Sequence, residues 1–115
     1  MSIMFQHEGQ EIWNPATAVA NLFMSQVAGL EALAQAPSGL TPGDSDEIDV
    51  DVAALERFLV ALHKRLSNTN NRAMHALCAA PTSILTALYA RCESDVSKWP
   101  PMLAGQPESG LALIR

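Results

Sequence analysis

Three segments of the chain carry apolar residues at spacings of three and four, the period of an α-helix that buries one face. They cover about residues 15–35, residues 52–67 and a stretch that begins near residue 72. Their apolar positions are, in chain order, Val19, Leu22, Phe23, Val27, Leu30, Leu33, Ala34, then Val52, Leu55, Leu59, Leu62, Leu66, then Met74, Leu77, Cys78, Leu85, Leu88 and Cys92. Because three amphipathic faces need a common core, the sequence predicts three packed helices.

Local signals mark the ends of these helices. Asn14 is a preferred N-cap and Pro15 suits the first helical position, so together they predict the start of the first helix. Asp51 is a preferred N-cap for the second helix. Pro81 removes a backbone hydrogen bond from the third helix and clashes with the preceding turn, so we expect a kink or a break there.

The β-prone part of the chain is short. Residues 3–6 and 11–13 flank Gly9, which can take the positive φ of a tight hairpin. Residues 41–46 have the composition of a loop, and residues 47–51 alternate with period two, as a strand does. The predicted fold is therefore mainly α: three helices, the third kinked, with a small N-terminal β-hairpin and, at most, a third short strand as a lid.

Length and composition favour one domain. At 115 residues, with 49% apolar and 17% charged residues, the chain is long enough to bury a core and does not have the composition of a disordered segment. We expect the domain to cover residues 1–101 and a loose or docked tail to cover residues 102–115.

Charge and cysteine content narrow the class of protein. Seven Lys and Arg against twelve Asp and Glu give a net charge of −5, which argues against the basic stripe that nucleic-acid binding needs. Residues 1–13 contain no Lys or Arg and no apolar run of signal-peptide length, and no segment approaches the roughly 18 consecutive apolar residues of a membrane helix. With two cysteines and no export signal, we expect a cytoplasmic protein with reduced thiols that binds neither nucleic acid nor membrane.

An acidic run precedes the second helix and includes Asp46, Glu47 and Asp49. Read as a calcium loop starting at Asp44, it lacks the required Gly at the sixth position and Glu at the twelfth. The run is either a solvated strand edge that discourages sheet-to-sheet association, which we favour, or a patch that meets a basic protein partner.

Gln26 is the polar residue that fits its pattern least. It lies in the middle of the apolar stripe of the first helix, four residues after Leu22 and four before Leu30. A buried amide must find hydrogen-bond partners. We favour a core amide bonded to neighbouring backbone; the alternative is a group that lines a pocket and orients a ligand.

The second and third helices hold the candidate catalytic residues. His63 and Glu56 lie on one edge of the second helix about 10 Å apart, so they either flank a substrate cleft as an acid–base pair or, as we favour, have no such role. His75 is a third candidate, and it is spaced from Cys78 so that both could ligate one metal. Two ligands do not make a site, and a free cysteine is commonly a small buried residue, so we predict no metal and no cofactor.

Trp13 and Trp99 bracket the helical body, and each is either a lid on the core or an anchor at an interface. Taken singly, each is better explained as a lid, whereas exposure of both would favour an interaction surface. We group Trp13 with Gln26 as candidate pocket residues, and Trp99 with the three acidic residues as candidate partner-binding residues.

Short motifs spread over most of the chain resemble a family of small uncharacterised actinobacterial proteins. The motifs are Phe5, Ile12-Trp13-Asn14-Pro15, Leu22-Phe23, Gln26-Val27, Pro37-Ser38-Gly39-Leu40, Asp46-Glu47-Ile48-Asp49, Leu55, Phe58 and Trp99. The resemblance implies a bacterial source, and the family has no function that it could transfer.

Two functions from different classes follow from these observations. The first is a small acidic protein-interaction module without catalytic activity, such as an adaptor, a regulator or an immunity-type inhibitor, with a basic protein as partner. The alternative is a small helical enzyme or ligand-binding protein, with a pocket between helices or at the interface of a homodimer.

Overall fold

The computed structural model describes residues 1–103 and 107–114. Strands and helices follow one another in the order β1 (Met4–His7), β2 (Gln10–Trp13), α1 (Thr17–Ala34), β3 (Leu40–Pro42), β4 (Glu47–Val50), α2 (Val52–Ser67), α3 (Arg72–Cys92) and α4 (Pro107–Leu113). Two single-turn 3-10 helices, Val96–Lys98 and Pro101–Leu103, lie between α3 and α4.

The four strands form one mixed sheet in the order β2-β1-β4-β3. β1 pairs antiparallel with β2 and parallel with β4, and β3 pairs antiparallel with β4. With 60% helix and 16% strand, the fold is α+β. The prediction of a mainly α fold with a hairpin lid is therefore wrong, because the sheet is a full layer of the structure.

The strand that the sequence did not reveal is β3. It has three residues and includes Pro42, and the turn-forming residues after it led to the prediction of a loop. Its structure depends on pairing with β4, where Leu40 lies opposite Val50 and Thr41 opposite Asp49. A proline is tolerated here because β3 is an edge strand and needs no second ladder of hydrogen bonds.

The first helix begins two residues later than its sequence signals predict. The backbone amide of Ile3 donates to the carbonyl of Pro15 (3.0 Å), and the amide of Thr17 donates to the carbonyl of Met1 (3.1 Å). These bonds hold the segment before α1 extended beside the N-terminus, so Ala16 is the N-cap and it provides no side-chain hydrogen bond. The predicted cap at Asn14 is therefore wrong.

The second helix begins directly after its predicted cap, Asp51, and the third begins at Arg72, where the sequence predicts its start. The side chain of Asp51 accepts from the amide of Ala54 (3.2 Å), and that of Asn71 accepts from the amide of Met74 (3.0 Å). α3 is continuous through Pro81, so the expected break does not occur. Pro81 lacks the amide that would donate to the Leu77 carbonyl, so α3 keeps its helical path with one backbone hydrogen bond fewer.

The core fills the space between the helices and one face of the sheet. Phe5, Trp13 and Phe23 join the two layers, with ring centroids 4.9 Å apart for the first pair, 5.8 Å for Phe5 and Phe23, and 5.4 Å for Trp13 and Phe23. A bulge in β2 makes this possible, because the register shift turns both Ile12 and Trp13 toward the core. One side of α2 is fully buried and consists of Leu55, Phe58, Leu59 and Leu62.

Part of the expected tail packs against the domain. Leu103 and Ile114 are buried, and Gly110 of α4 lies so close to the Ser83 carbonyl of α3 that any β-carbon would overlap it. Residues 104–106 and 115 of the expected tail lie outside the described residues.

Gly39 sets the approach of the β3 segment to α2. It has φ +83°, and a β-carbon there would lie 2.7 Å from the Asp51 carbonyl oxygen and 2.9 Å from the Ala54 β-carbon.

We predict that Gly39→Ala lowers the free energy of unfolding by about 3 kcal/mol, because the strain of the left-handed backbone and the steric overlap of the new β-carbon add. Gly9→Ala is the matched control, since Gly9 has φ +80° but open space around it; we expect a loss of about 1 kcal/mol. Urea unfolding measures both, and equal losses would contradict the prediction.

Candidate functional site

One face of the sheet is turned toward solvent. Side chains alternate along a strand, so neighbours in sequence point to opposite faces. Phe5, Leu40 and Ile48 are buried against the helices, whereas Thr41 and Asp49, which alternate with them, are exposed. The sheet therefore has one apolar face on the core and one polar face outside.

The strand register places the polar side chains in a row. Gln6 of β1 lies opposite Glu11 of β2 and beside Asp49 of β4, and Asp49 lies opposite Thr41 of β3. Glu47 is two residues before Asp49 and shares its face. We call these five residues the acidic sheet face. It spans all four strands.

Gln6 holds the two carboxylates of β4 in place. Its Nε2 donates to Glu47 Oε2 at 3.1 Å and to Asp49 Oδ1 at 2.6 Å. An ionised carboxylate has about four acceptor positions, so each one keeps capacity for further donors. The arrangement fixes two negative groups side by side and leaves them able to accept hydrogen bonds from another molecule.

Among the residues that the structure describes, no Lys or Arg neutralises the carboxylates of this face. Residues 1–56 contain nine Asp and Glu and no Lys or Arg, and all seven Lys and Arg lie in residues 57–115. The sheet belongs entirely to the first part, while exposed Arg57, Lys64 and Arg65 lie on α2. None of the Lys and Arg side chains that the structure describes forms an ion pair with the face.

Two of the four predicted partner-binding residues, Glu47 and Asp49, lie on the acidic sheet face. Asp46 has φ +60° in the turn before β4, where its carbonyl accepts from the amide of Met4 (2.9 Å) and its side chain is exposed. Trp99 lies elsewhere: its Nε1 donates to the Glu93 carbonyl (2.7 Å). The half-buried indole covers part of the core rather than joining the acidic residues.

Sequence reasoning missed Gln6, Glu11 and Thr41. The period-two alternation of the hairpin strands placed Gln6 and Glu11 on the face opposite Phe5 and Ile12, so that signal was available. Thr41 could not be found, because its strand was expected to be a loop.

The two predicted pocket residues line different cavities and differ in environment. Trp13 is 7% exposed and packs within the aromatic cluster of Phe5 and Phe23. Gln26 is exposed, so its amide needs no internal partner, contrary to the expectation of a core amide. It lines an open groove of about 390 Å³ between α1 and α3.

The structure brings His63 and His75 to one groove between α2 and α3. The groove has a volume of about 520 Å³ and is lined by His63, Leu66, Ser67, His75, Cys78, Ala79, Thr82 and Ser83. His63 Nε2 and Thr82 Oγ1 are shielded from solvent and have no hydrogen-bond partner. Burial lowers the pKa of His63, which favours the neutral imidazole. His75 is exposed, with its Nε2 2.9 Å from the Thr69 carbonyl oxygen.

Glu56 does not share that groove. Its Oε1 accepts from the hydroxyl of Tyr89 at 2.6 Å, which ties α2 to α3. Tyr89 is 2% exposed and packs against the ring of Trp99, with ring centroids 6.2 Å apart. Glu56 is therefore engaged in a structural hydrogen bond and is not paired with His63.

Neither cysteine has the environment of a nucleophile. Burial raises the pKa of the Cys78 thiol and raises that of Cys92 to about 11, so both are protonated near neutral pH. Both thiols are free. Among the described residues, no group of three His, Cys, Asp or Glu side chains is placed to hold a metal ion.

By length and composition, α3 is the one described helix that could cross a membrane, with a mean hydropathy of 1.3 over its most apolar 18 residues. Of that stretch, 39% is buried within the fold. The core helix of a soluble protein can have the same length and composition, so these values are weak evidence that α3 spans a membrane.

Tyr89 gives a direct test of its bond to Glu56. We predict that Tyr89→Phe lowers the free energy of unfolding by about 2 kcal/mol near neutral pH, because a hydrogen bond to a charged acceptor is lost. Burial, and then the Glu56 carboxylate, raise the pKa of Tyr89 above its usual value of about 10. The bond's contribution is therefore complete below about pH 10 and is lost as the pH rises further.

Urea unfolding of the wild type and the variant, near neutral pH and in alkali, measures this difference. We expect the two proteins to converge in stability as the pH rises. Since the chain has a single tyrosine, tyrosinate absorbance reports its titration directly. An unshifted titration, or equal stability near neutral pH, would show that the bond contributes nothing.

Comparison with known proteins gives no activity that could be transferred to this chain. Searches of curated proteins and of solved structures found no significant match. A family model described as a family of unknown function (DUF6086) matches residues 1–111. The predicted resemblance to an uncharacterised family is confirmed, while the actinobacterial source stays a prediction. The chain belongs to this family of unknown function.

Proposed function

We propose that the chain is a protein-interaction module without catalytic activity, and that its acidic sheet face binds a basic surface of a partner protein. The observation that carries the proposal is the uncovered outer face of a four-stranded sheet, lined by Glu11, Glu47 and Asp49 without a neutralising cation from the described residues. An adaptor, a regulator and an immunity-type inhibitor all act through such a surface.

Electrostatics supports this function. Like charges on one sheet face disfavour the folded state modestly, and a partner's Lys or Arg would relieve that repulsion. Surfaces of one sign also steer oppositely charged partners and speed their encounter. Because Gln6 already holds Glu47 and Asp49 in place, less side-chain freedom is lost when a partner binds.

The same charges define which partners we propose. An anionic face repels the phosphates of nucleic acid, so we propose a protein partner. A cytoplasmic location without membrane contact is part of the proposal, and the two free thiols support it. The five residues of the face are binding residues in this proposal, and none is assigned a chemical step.

A second candidate function is the binding of a small polar ligand between α2 and α3. The observation that favours it is the pair of unpartnered polar atoms, His63 Nε2 and Thr82 Oγ1, beside one groove. Both atoms are shielded from solvent, so a ligand could reach them only if the two helices move apart. We therefore place this candidate second. Ligand-induced thermal stabilisation that is lost in His63→Phe would support it.

The acidic sheet face is tested by removing two charges without changing shape. We predict that Glu47→Gln combined with Asp49→Asn weakens binding to the physiological partner at least about tenfold, since two charge-assisted contacts are lost. The partner is first captured from the native cell extract and then purified. Titration calorimetry measures the affinity, which we expect to fall as salt concentration rises.

Glu93→Gln combined with Asp95→Asn is the matched control, because it changes the net charge equally at residues after α3, away from the sheet. Asparagine at position 95 can still accept the cap hydrogen bond from Ser97. Binding should be nearly that of the wild type. Equal losses in both double variants, or an affinity that salt does not change, would rule out the acidic sheet face as the binding surface.

A further inference from the structure

α1 carries a second apolar stripe beside the one that enters the core. The buried stripe is Ala20, Phe23, Val27 and Leu30. The second stripe is displaced by one residue and consists of Val19, Leu22, Gln26, Gly29 and Leu33. Val19 is 49% exposed and Leu22 is 63% exposed. The apolar sector of α1 is thus wider than the core needs, and its outer part is open.

The N-terminal part of α3 adds a matching apolar surface. Leu77 is 77% exposed, the largest exposure among the large apolar side chains that the structure describes, apart from Met1 at the N-terminus. Met74 and Pro81 lie beside it on the wall of the groove that Gln26, Gly29 and Leu33 line from α1. We call this surface, formed by the outer stripe of α1 with Met74, Leu77 and Pro81, the α1–α3 face.

The α1–α3 face is nearly free of charge, although the chain has a net charge of −5. No Asp, Glu, Lys or Arg occurs in residues 17–30 or in residues 73–90. The cores of homodimer interfaces are apolar and depleted in charge in the same way. A charged partner surface would lose hydration here without gaining an ion pair, whereas an uncharged surface loses little.

We infer that the α1–α3 face is the interface at which two copies of this chain form a symmetric dimer. In a two-fold contact the same patch meets itself, so an uncharged patch brings no like charges together when two acidic copies associate. The exposed leucines of each copy are then removed from water by those of the other. This surface is separate from the acidic sheet face, so either proposal can fail alone.

The size of the face agrees with this occupant. α1 has 18 residues, which gives a length of about 27 Å, and two adjacent helices present a width of about 20 Å. Because α3 flanks only part of this length, each copy would contribute at most about 500 Å² and the pair at most about 1,000 Å², which is the size of a weak, concentration-dependent dimer interface.

Gly29 and Gln26 are also compatible with a symmetric dimer at this face. A β-carbon at Gly29 would have no neighbour within 4 Å, so this position leaves space for a side chain from the second copy. Gln26 is central in the outer stripe of α1. An amide both donates and accepts, so it can pair with the same amide across a two-fold axis. That pairing explains why a polar residue is compatible with the middle of an apolar surface.

Leu22→Glu and Leu77→Glu test the interface singly. Each places a carboxylate in a surface that the dimer would bury, and we expect each to weaken dimerisation about a hundredfold or more. Gln26→Glu is nearly isosteric and sets two carboxylates against each other, with the same direction of effect. Sedimentation velocity over a dilution series measures the monomer–dimer equilibrium, and circular dichroism checks that each exposed substitution leaves the fold intact.

Val96→Glu is the matched control, since Val96 is 59% exposed but lies in the 3-10 turn after α3. It should dimerise as the wild type does, and so should Glu47→Gln combined with Asp49→Asn. A wild type that stays monomeric at every concentration overturns the inference and leaves another apolar partner, such as an amphipathic helix or a lipid surface, to cover the face. A wild-type dimer that Leu22→Glu and Leu77→Glu leave unchanged overturns it as well.

Discussion

The parallel pairing of β1 with β4 is the contact on which the other features of this structure depend. It joins the N-terminal hairpin to the strand that leads into α2, across about forty residues of chain. On one side of the sheet it places Phe5 beside Ile48, where both are buried under the helices. On the other side it places Gln6 beside Asp49, which creates the bridged carboxylates of the acidic sheet face. One strand register thus builds both the core and the proposed binding surface.

Charged residues are distributed unevenly over the molecule, and this distribution suits the two proposed interaction surfaces. All four strands lie in the first 56 residues, which hold nine carboxylates and no Lys or Arg. The outer stripe of α1 and the N-terminal part of α3 have almost no charge and expose Leu22 and Leu77. Long-range attraction to a basic partner suits the first surface, and short-range apolar packing with a second copy suits the other. A dimer would present two acidic sheet faces and so bind a repetitive basic partner more tightly.

The predicted helix caps and Gln26 show which features follow from local sequence and which depend on tertiary contacts. Asp51 lies directly before the apolar stripe of α2, where a helix start is visible within a few residues of sequence, and its side chain forms the hydrogen bond expected of a cap. Asn14 has the same local signal, but pairing of the N-terminus with residues 15–17 overrides it. Gln26 was expected to be a buried core amide but is exposed, because the part of a wide apolar sector that faces the core depends on the neighbouring elements.

The sequence by itself determined the three long helices, the hairpin with Gly9 in its turn, and the acidic character of the chain, because each follows from residue type and spacing within a few turns. The tertiary structure alone decided that β3 exists, that β4 lies parallel to β1, and that Glu56 bonds to Tyr89 instead of facing His63. The physical reason is that a three-residue strand has little structure without a partner, and its hydrogen bonds form only when distant segments meet. Whether an apolar stripe becomes core or open surface is likewise decided only when distant segments pack together.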